Sequence, residues 1–282
     1  MATEPVPPQG SHAPTLRPDA RNAGMTPEKA VEQIASDLHA AGLPRGAAVV
    51  VHSSLKSLGP VPGGPETAIR GFLQALGPDG TLLLPGLSYE TVNADNPVFD
   101  VVRTPSCSGA LAEYFRKRPG TLRSINPTHS VCAVGAKAAR LLGEHQLDDT
   151  PCGAHSPFRL LREEDGYVLF LGCGTRPNTS MHATEELIMP PYLFGGMVTY
   201  TAILSDGKQM RLLCRRHRFA GFGQRYDRIE ALLKAPDLRI GKVLLATVHL
   251  LRCRPMWERA LEALRRDPLH FVERVGKTLD DG

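Results

Sequence analysis

The chain has 282 residues, of which 42% are hydrophobic and 22% are charged, and its 33 basic and 29 acidic residues give a formal net charge of +4. These fractions are typical of an ordinary globular protein that can bury a sizeable core. No apolar run approaches the roughly 18 to 20 residues needed to span a bilayer, which argues against a membrane protein. We therefore expect a soluble protein with neither a membrane nor a nucleic acid as its partner.

The termini and the cysteines bear on domain limits and cellular location. Residues 1–24 are rich in proline and polar side chains and lack the features of a secretory signal, so they are predicted to be a disordered N-terminal tail. A single domain is expected over residues 25–272, followed by a C-terminal tail over residues 273–282. The six cysteines are scattered without a CxxC pair, which argues against a zinc ribbon or a dense disulfide framework and favours a reducing cytoplasm.

The first part of the domain predicts a helix and then a strand, loop, helix, strand unit. Thr26 is a suitable N-cap, and Pro27 is a suitable first residue of the opening helix. The unit that follows comprises a strand over 47–51, a helix from Pro65 and a strand over 81–84. Such units are right-handed crossovers between parallel strands, and ligands bind beyond the carboxyl ends of those strands. The loop from His52 to Gly64 is therefore expected to contribute to a binding site.

The rest of the chain adds further strands and helices. The predicted elements are a helix near 109–118, strands over 131–134 and 167–171, a helix beginning near Thr179, a hairpin formed by 197–204 and 209–214, and a closing helix over 255–264. Together they predict an α/β fold: a single domain with a mixed, largely parallel central sheet, flanking helices and an antiparallel portion.

The densest group of chemically useful side chains lies between residues 178 and 186, after a buried strand and at the start of a helix. Glu185 follows His182 by three residues, so a carboxylate on nearly the same helical face can orient the imidazole as a general base. Glu186 is the alternative orienting group. Hydroxyls of Thr179 or Ser180, together with free amides at the helix start, can stabilise an oxyanion or a phosphate. The alternative to catalysis is a surface pair with no chemical role.

Two other interpretations of this region concern metals and thiols. A catalytic zinc site usually needs three protein ligands, and the sequence has no HExxH motif and no third ligand near His182 and Glu185, so no metal is expected. Cys173 ends the preceding strand and could act as a nucleophile paired with His182. Free cysteine is among the most buried residue types, which favours a structural role instead.

Three other polar segments stand out, although each alone can be a simple turn, strand end or helix start. They are His52-Ser53-Ser54, Asn126-Pro127-Thr128-His129-Ser130 and His155-Ser156-Pro157-Phe158. In order and spacing, the segments VHSSLKSLGPVPGG, NPTHSVCAVG, HSPF and LFLGCGTRPNTSMHATEE resemble the aminoglycoside 3-N-acetyltransferase family. Four ordered motifs are far more specific than any one of them. The resemblance extends from about Met25 to Glu186.

This resemblance implies an N-acetyltransferase with its own α/β fold, distinct from the GNAT fold, that uses acetyl-CoA as co-substrate. His182 matches the histidine of the family's TSxHxxE motif and would act as general base, with Glu185 as the acidic residue after it. Thr179 and Ser180 fall where the motif would contact the thioester. Residues expected to hold coenzyme A are His52, Ser53, Ser54, Lys56, Thr128, Ser130 and Ser180.

The function predicted from the resemblance is direct acetyl transfer, in a ternary complex, to the 3-N amine of an aminoglycoside. The alternatives are acyl transfer to a different amine or amino sugar, a covalent route through Cys173, and a non-catalytic coenzyme-A-binding protein. The segment CRRHRFAGFGQRYD offers Asp227 and, just beyond it, Glu230 as candidates for a further acidic residue. The partner is expected to be a small-molecule amine, and the protein to be a monomer or a homodimer.

Overall fold

The structure is a computed structural model that describes residues 24–275. The predicted N-terminal tail lies outside the described residues except for Gly24, as do residues 276–282 of the predicted C-terminal tail. The last strand, Val272–Arg274, crosses the predicted end of the domain at residue 272.

Strands and helices alternate through most of this range. The strands are β1 (Ala48–Ser53), β2 (Thr81–Pro85), β3 (Val98–Asp100), β4 (Leu122–Arg123), β5 (Val131–Gly135), β6 (Tyr167–Leu171), β7 (Phe194–Ile203), β8 (Gln209–His217), β9 (Phe222–Gln224), β10 (Leu238–Val243), β11 (Ala246–Arg252) and β12 (Val272–Arg274). The helices are α1 (Pro27–Ala40), α2 (Gly64–Leu76), α3 (Ala110–Lys117), α4 (Ala138–Leu142), α5 (Pro157–Glu163), α6 (Ser180–Ile188) and α7 (Cys253–Arg266). Short 3-10 helices cover Leu55–Leu58, His145–Leu147 and Tyr226–Leu232.

The central sheet has seven strands in the order β10-β11-β6-β1-β2-β5-β4. Its middle is parallel, since β1 pairs in parallel with both β2 and β6. The pairs β2-β5, β5-β4, β6-β11 and β11-β10 are antiparallel. Only β5 and β11 therefore run against the direction of the other five strands. The predicted mixed, largely parallel sheet is confirmed.

Local sequence signals explain the first elements. Thr26 caps α1 by accepting a hydrogen bond from the Lys29 amide at 3.3 Å, and Pro27 occupies the first turn, where a missing N–H costs nothing. Helix α2 connects the parallel strands β1 and β2, as the crossover pattern predicts. Gly77, with φ of 70°, ends α2 in a conformation that side chains with a Cβ rarely adopt.

Helices cover both faces of the central sheet, so its middle strands are buried on both sides. Along β1, Val49 and Val51 belong to the core packed under α1, α2 and α3, whereas Ala48 and Val50 belong to the opposite core under α5 and α7. This alternation follows from the two-residue repeat of a strand. It explains why the sequence of β1 is a continuous apolar run rather than an alternating one.

A second sheet has the order β3-β7-β8, in which β7 and β8 form the antiparallel portion and β3 pairs in parallel with β7. Strands β7 and β8 form the predicted hairpin, whose turn at Asp206-Gly207 has Gly207 at φ of 82°. The strand predicted over 131–134 exists as β5, but it pairs antiparallel with β2. Strands β3, β4, β9, β10, β11 and β12 were not predicted from sequence.

Within residues 24–275, no helix combines the length and the apolar composition needed to cross a bilayer.

The parallel middle of the sheet brings two of the predicted motifs together. In the register between β1 and β6, His52 lies opposite Phe170 and Ser53 lies opposite Leu171. Both strands therefore end at the same edge, where the loop after β6 leads into α6. This edge is where ligands bind in open α/β sheets.

Candidate active site

A cavity of about 670 Å³ lies at this edge. Its walls include five residues that the sequence predicted for the site: His52, Ser53, Thr128, Thr179 and His182. The segment CRRHRFAGFGQRYD supplies another part of the wall, consisting of Arg216, His217, Phe219, Gln224 and Tyr226. The cavity is large enough for part of a cofactor together with a small acceptor, since ligand pockets commonly measure about 300 to 1,000 Å³.

His182 lies in the first turn of α6 with one edge open to the cavity, because 12% of its side chain remains exposed. Its Nδ1 is 2.7 Å from the phenol oxygen of Tyr226 and 3.4 Å from Oε2 of Glu185. The phenol of Tyr226 donates to the same Glu185 oxygen at 2.6 Å. The shorter distances identify Tyr226 as the principal link between the imidazole and the carboxylate.

This link selects one tautomer of His182. Tyr226 has a single hydroxyl proton and donates it to Glu185, so its oxygen can only accept from His182. The imidazole proton must then lie on Nδ1. Nε2 consequently carries the lone pair that a general base needs.

Glu185 is completely buried, with 0% of its side chain exposed. Its Oε1 accepts a second phenol hydrogen bond, from Tyr192 at 2.9 Å. Burial and the neighbouring Glu185 raise the pKa of both Tyr192 and Tyr226, so both phenols keep their protons. Two neutral donors therefore stabilise the carboxylate without neutralising it, and its charge can act on His182.

Glu186 points to a different histidine, although it was the alternative orienting group for His182. Its Oε1 lies 2.8 Å from Nε2 of His217 and accepts from the Cys152 amide at 2.8 Å, and its Oε2 accepts from the Thr150 hydroxyl at 2.6 Å. Burial raises the pKa of Glu186 to about 7 despite these hydrogen bonds. Glu185 is thus the carboxylate positioned to orient His182.

Three histidines meet at the cavity, although they are distant in sequence. His129 and His217 join His182, and the ring centroids are separated by 5.7 Å for His129–His182, 5.1 Å for His129–His217 and 4.9 Å for His182–His217. Burial lowers the pKa of His129 and His217 well below 6.5, and the proximity of the neighbouring histidines lowers the pKa of both further. The sequence showed no third ligand near His182 because these rings come from remote segments.

His52 is buried at the end of β1 and lines the cavity. Its ring stacks on Phe170 with a centroid distance of 5.1 Å and an interplanar angle of 11°. Burial lowers its pKa to about 3, with a smaller effect from His182, so the ring is neutral at pH 7. Its buried Nε2 has no hydrogen-bond partner within residues 24–275.

Thr179 and Ser180 occupy different environments. Thr179 lines the cavity at the N-cap position of α6, but its side chain makes no capping hydrogen bond. The Ser180 hydroxyl is fully buried without a hydrogen-bond partner in the described part of the chain, and Ser180 is not among the residues that line the cavity. The geometry therefore brings Thr179, and not Ser180, to the cavity.

The other residues predicted to hold coenzyme A also separate into two groups. Ser53 and Thr128 line the cavity, whereas Ser54, Lys56 and Ser130 do not. Lys56 is exposed beyond the end of β1. Ser130 is buried, donates to the Gly86 carbonyl at 2.7 Å and accepts from Arg123 at 2.9 Å. These bonds give Ser130 a structural part in fixing the turn after β2.

Cys173 lines the cavity and is half-buried. Burial raises the pKa of its thiol to about 11, so the thiol stays protonated near neutral pH. Because the thiolate is the nucleophilic form, this environment disfavours a covalent role for Cys173. All six cysteines are free thiols.

Sequence reasoning missed Tyr226, His217 and Tyr192 as members of the site. It considered Asp227 and Glu230 instead, but Asp227 pairs with Arg225 at 2.9 Å and Glu230 accepts from the Thr175 hydroxyl. Tyr226, which directly precedes Asp227, is the residue of this segment that hydrogen-bonds His182. The aromatic and basic composition of this segment was the only signal available.

Comparison with known proteins agrees with the motifs. A sequence model of the family described as aminoglycoside 3-N-acetyltransferase matches residues 50–265. Aminoglycoside N(3)-acetyltransferase IV from Salmonella sp. is 32% identical over 240 residues, which are 82% of this chain and 85% of the relative. The SPbeta prophage-derived aminoglycoside N(3')-acetyltransferase-like protein YokD from Bacillus subtilis is 33% identical over 238 residues, 75% of this chain and 84% of that protein.

Solved structures share the fold. A variant of aminoglycoside acetyltransferase AAC(3)-IVa in complex with a gentamicin superposes with a TM-score of 0.72 at 31% identity, covering 85% of this chain and 90% of the other. A binary complex of AAC-IIIb with CoASH gives a TM-score of 0.73 at 27% identity, covering 86% and 97%. The family resemblance and the fold expected from it are confirmed. This chain belongs to the aminoglycoside 3-N-acetyltransferase family.

Proposed function

We propose that the protein transfers the acetyl group of acetyl-CoA directly to an amine of an aminoglycoside, at the 3-N position, with His182 as the general base. The observation that carries this proposal is the chain of contacts from His182 through Tyr226 to the buried Glu185. It leaves Nε2 of His182 unprotonated beside the cavity. Homologues named aminoglycoside N(3)-acetyltransferases supply the reaction class.

In the proposed reaction, both substrates are bound before chemistry begins. The acceptor amine attacks the thioester carbonyl as Nε2 of His182 removes its proton, directly or through a water. The imidazolium that forms is stabilised by the Glu185 carboxylate through Tyr226. The proton then passes to the departing coenzyme-A thiolate, which leaves the base ready for another turnover.

The negative charge that develops on the oxygen of the tetrahedral intermediate needs hydrogen-bond donors to stabilise it. Thr179 lies at the cavity wall where α6 begins, and the first amides of a helix are free to donate. We assign the Thr179 hydroxyl and this helix start to that role. His52, Ser53 and Thr128, which line the same cavity, are proposed to contact coenzyme A.

An amine less cationic than an aminoglycoside is the second candidate acceptor. Arg176 and Arg216 line the cavity, and within residues 24–275 no aspartate or glutamate is among the lining residues. A polycationic acceptor gains from carboxylates that pair with its ammonium groups, whereas a simple amine or an amino sugar does not need them. This wall favours the second candidate.

Initial-rate kinetics of thiol release from acetyl-CoA test both the route and the acceptor. Gentamicin, apramycin, simple amines and amino sugars form the acceptor panel. Direct transfer predicts intersecting double-reciprocal lines and full activity in Cys173→Ala. Parallel lines together with an inactive Cys173→Ala would support the covalent route and contradict the proposal.

A further inference from the structure

The three histidines at the cavity have a property that the acetyl-transfer reaction does not use. One nitrogen from each of His129, His182 and His217 lies within 4.8 Å of the other two. The reaction requires only His182 as a base. His129 and His217 are otherwise two buried imidazoles with no function in the proposed mechanism.

Each ring is anchored through one nitrogen, which leaves the other nitrogen free. Nδ1 of His129 bonds the Thr128 hydroxyl at 2.9 Å, Nδ1 of His182 bonds Tyr226, and Nε2 of His217 bonds Glu186. The second nitrogen of each ring has no hydrogen-bond partner within residues 24–275. For His217, that second nitrogen, Nδ1, is fully buried.

A buried imidazole nitrogen without a partner is costly unless a ligand satisfies it. Metal-binding histidines show this same arrangement, in which one nitrogen binds the ion and the other donates to a carboxylate or another oxygen that orients the ring. The pair formed by His217 and Glu186 has the carboxylate–histidine form of that arrangement. His182 reaches its own carboxylate, Glu185, through Tyr226.

The charges around the cluster also fit a dication. Glu185 and Glu186 are both buried behind the histidine rings, with 0% and 4% of their side chains exposed. In the part of the chain that the structure describes, neither carboxylate forms an ion pair with a lysine or an arginine. A divalent cation bound by the imidazole rings would balance the negative charge of the carboxylates behind those rings.

From this geometry we infer that His129, His182 and His217 form a zinc(II) site with three protein ligands and a fourth position open to the cavity. Zinc bonds imidazole nitrogen at about 2.0 to 2.1 Å, so three tetrahedral ligand nitrogens lie about 3.4 Å apart. Side-chain movements on the order of 1 Å would bring the nitrogens to that spacing. Three histidines and one open position are an established ligand set for zinc.

Zinc at this site would occupy the lone pair of His182 that the acetyl transfer needs. Bound zinc would therefore inhibit the proposed acetyl transfer. This inhibition rests on the proposed function, whereas the zinc site itself does not. The site itself is tested by metal binding alone, so a failure of the proposed function leaves the binding result interpretable.

The experiment titrates the metal-free full-length protein with Zn²⁺ in competition with a chromophoric chelator, and separately with Co²⁺ while visible absorption is recorded. We expect one Zn²⁺ per chain and the intense visible bands of four-coordinate Co²⁺. The affinity for Zn²⁺ should fall at least tenfold in His129→Ala and in His217→Ala, and by about 10- to 100-fold in Glu186→Gln, which removes the carboxylate that orients His217.

His39→Ala serves as the control, because His39 is an exposed histidine on α1 and does not line the cavity. Its affinity for Zn²⁺ should equal that of the wild type. Thermal unfolding identifies any variant that fails to fold, and the wild-type Co²⁺ spectrum provides a test that needs no variant. The inference is overturned if the wild type binds neither ion, if the Co²⁺ spectrum shows thiolate charge-transfer bands, or if the folded cluster variants bind as tightly as His39→Ala.

Discussion

Two consecutive glutamates on α6 are buried in the same way and are used differently. Glu185 meets His182 within its own helix and is joined to it by Tyr226, whereas Glu186 meets His217, which comes from the end of β8. The Glu185 pair leaves a nitrogen at the open edge of the cavity. In the Glu186 pair the free nitrogen is buried. Burial of a carboxylate beside a histidine therefore does not identify a catalytic base; access to the reacting atoms does.

After His182→Ala, the largest loss of kcat is expected for Glu185→Gln. The amide keeps the size of the carboxylate but cannot stabilise the imidazolium, so kcat should fall about 100-fold. Steady-state rates with acetyl-CoA and an accepted amine measure this loss. The matched substitution Glu186→Gln is the control. Equal losses of kcat in the two variants would show that the His182–Glu185 and His217–Glu186 pairs do not differ in their importance for catalysis.

Tyr226→Phe should have a smaller effect, a loss of about tenfold in kcat. It removes the contact that holds the proton on Nδ1 of His182, but Glu185 Oε2 remains 3.4 Å from that nitrogen and can take over part of the role. The pH dependence of kcat should shift as well, because a structural role alone would not change the titration of the base. An unchanged rate and an unchanged pH profile would remove Tyr226 from the mechanism.

Glu186→Gln itself should reduce kcat by less than about tenfold, or about 1.4 kcal/mol of activation free energy. Glu186 makes no hydrogen bond to His182 and does not line the cavity, and it accepts hydrogen bonds from Thr150 and Cys152. Measuring kcat and KM in the same assay distinguishes a slower reaction, which lowers kcat, from weaker substrate binding, which raises KM. A loss in kcat as large as that of Glu185→Gln would contradict this assignment.

A separate effect concerns the free energy of unfolding and a histidine away from the cavity. Burial lowers the pKa of His145 to about 4, whereas the pKa of a histidine in the unfolded chain is about 6.5. Between these two pH values, the unfolded chain binds a proton at His145 and the native protein does not. This histidine therefore makes the free energy of unfolding fall as the pH decreases from about 6.5 to 4, by up to about 1.4 kcal/mol per pH unit.

His145→Gln should remove that part of the acid sensitivity. Urea denaturation at pH 7.5 and at pH 5 measures it, and the variant should lose less stability between the two pH values than the wild type does. Parallel losses in both proteins would show that His145 does not contribute.

The pairing of His182 with Glu185 could be predicted because one local element holds both residues, whereas His52, Ser53 and Thr128, which also line the cavity, were assigned to coenzyme A only through the family resemblance. His182 and Glu185 are three residues apart on α6, and the strand before them is a continuous apolar run, so spacing and pattern were sufficient. Tyr226 lies 44 residues beyond His182, and nothing in a single sequence links the two positions. Tertiary packing alone brings them within hydrogen-bonding distance.

The same limit explains the other differences. His217 follows Arg215 and Arg216 in a basic segment, and nothing in that segment indicates that the histidine side chain is buried against Glu186. Strands of three residues, such as β3 and β9, are too short to show an alternating pattern and depend on pairing with distant partners. The longer strands β7 and β8 were predicted because their patterns repeat over several residues and a turn signal lies between them, whereas β10 and β11 were not predicted as strands.

The most direct test of the central claim compares wild type and His182→Ala in thiol release from acetyl-CoA, with a chelator present and with gentamicin and simpler amines as acceptors. If His182 is the general base, kcat should fall by a factor of about 100 or more while coenzyme-A binding and thermal stability are retained. A folded His182→Ala variant that keeps its rate within about tenfold of the wild type would contradict the account.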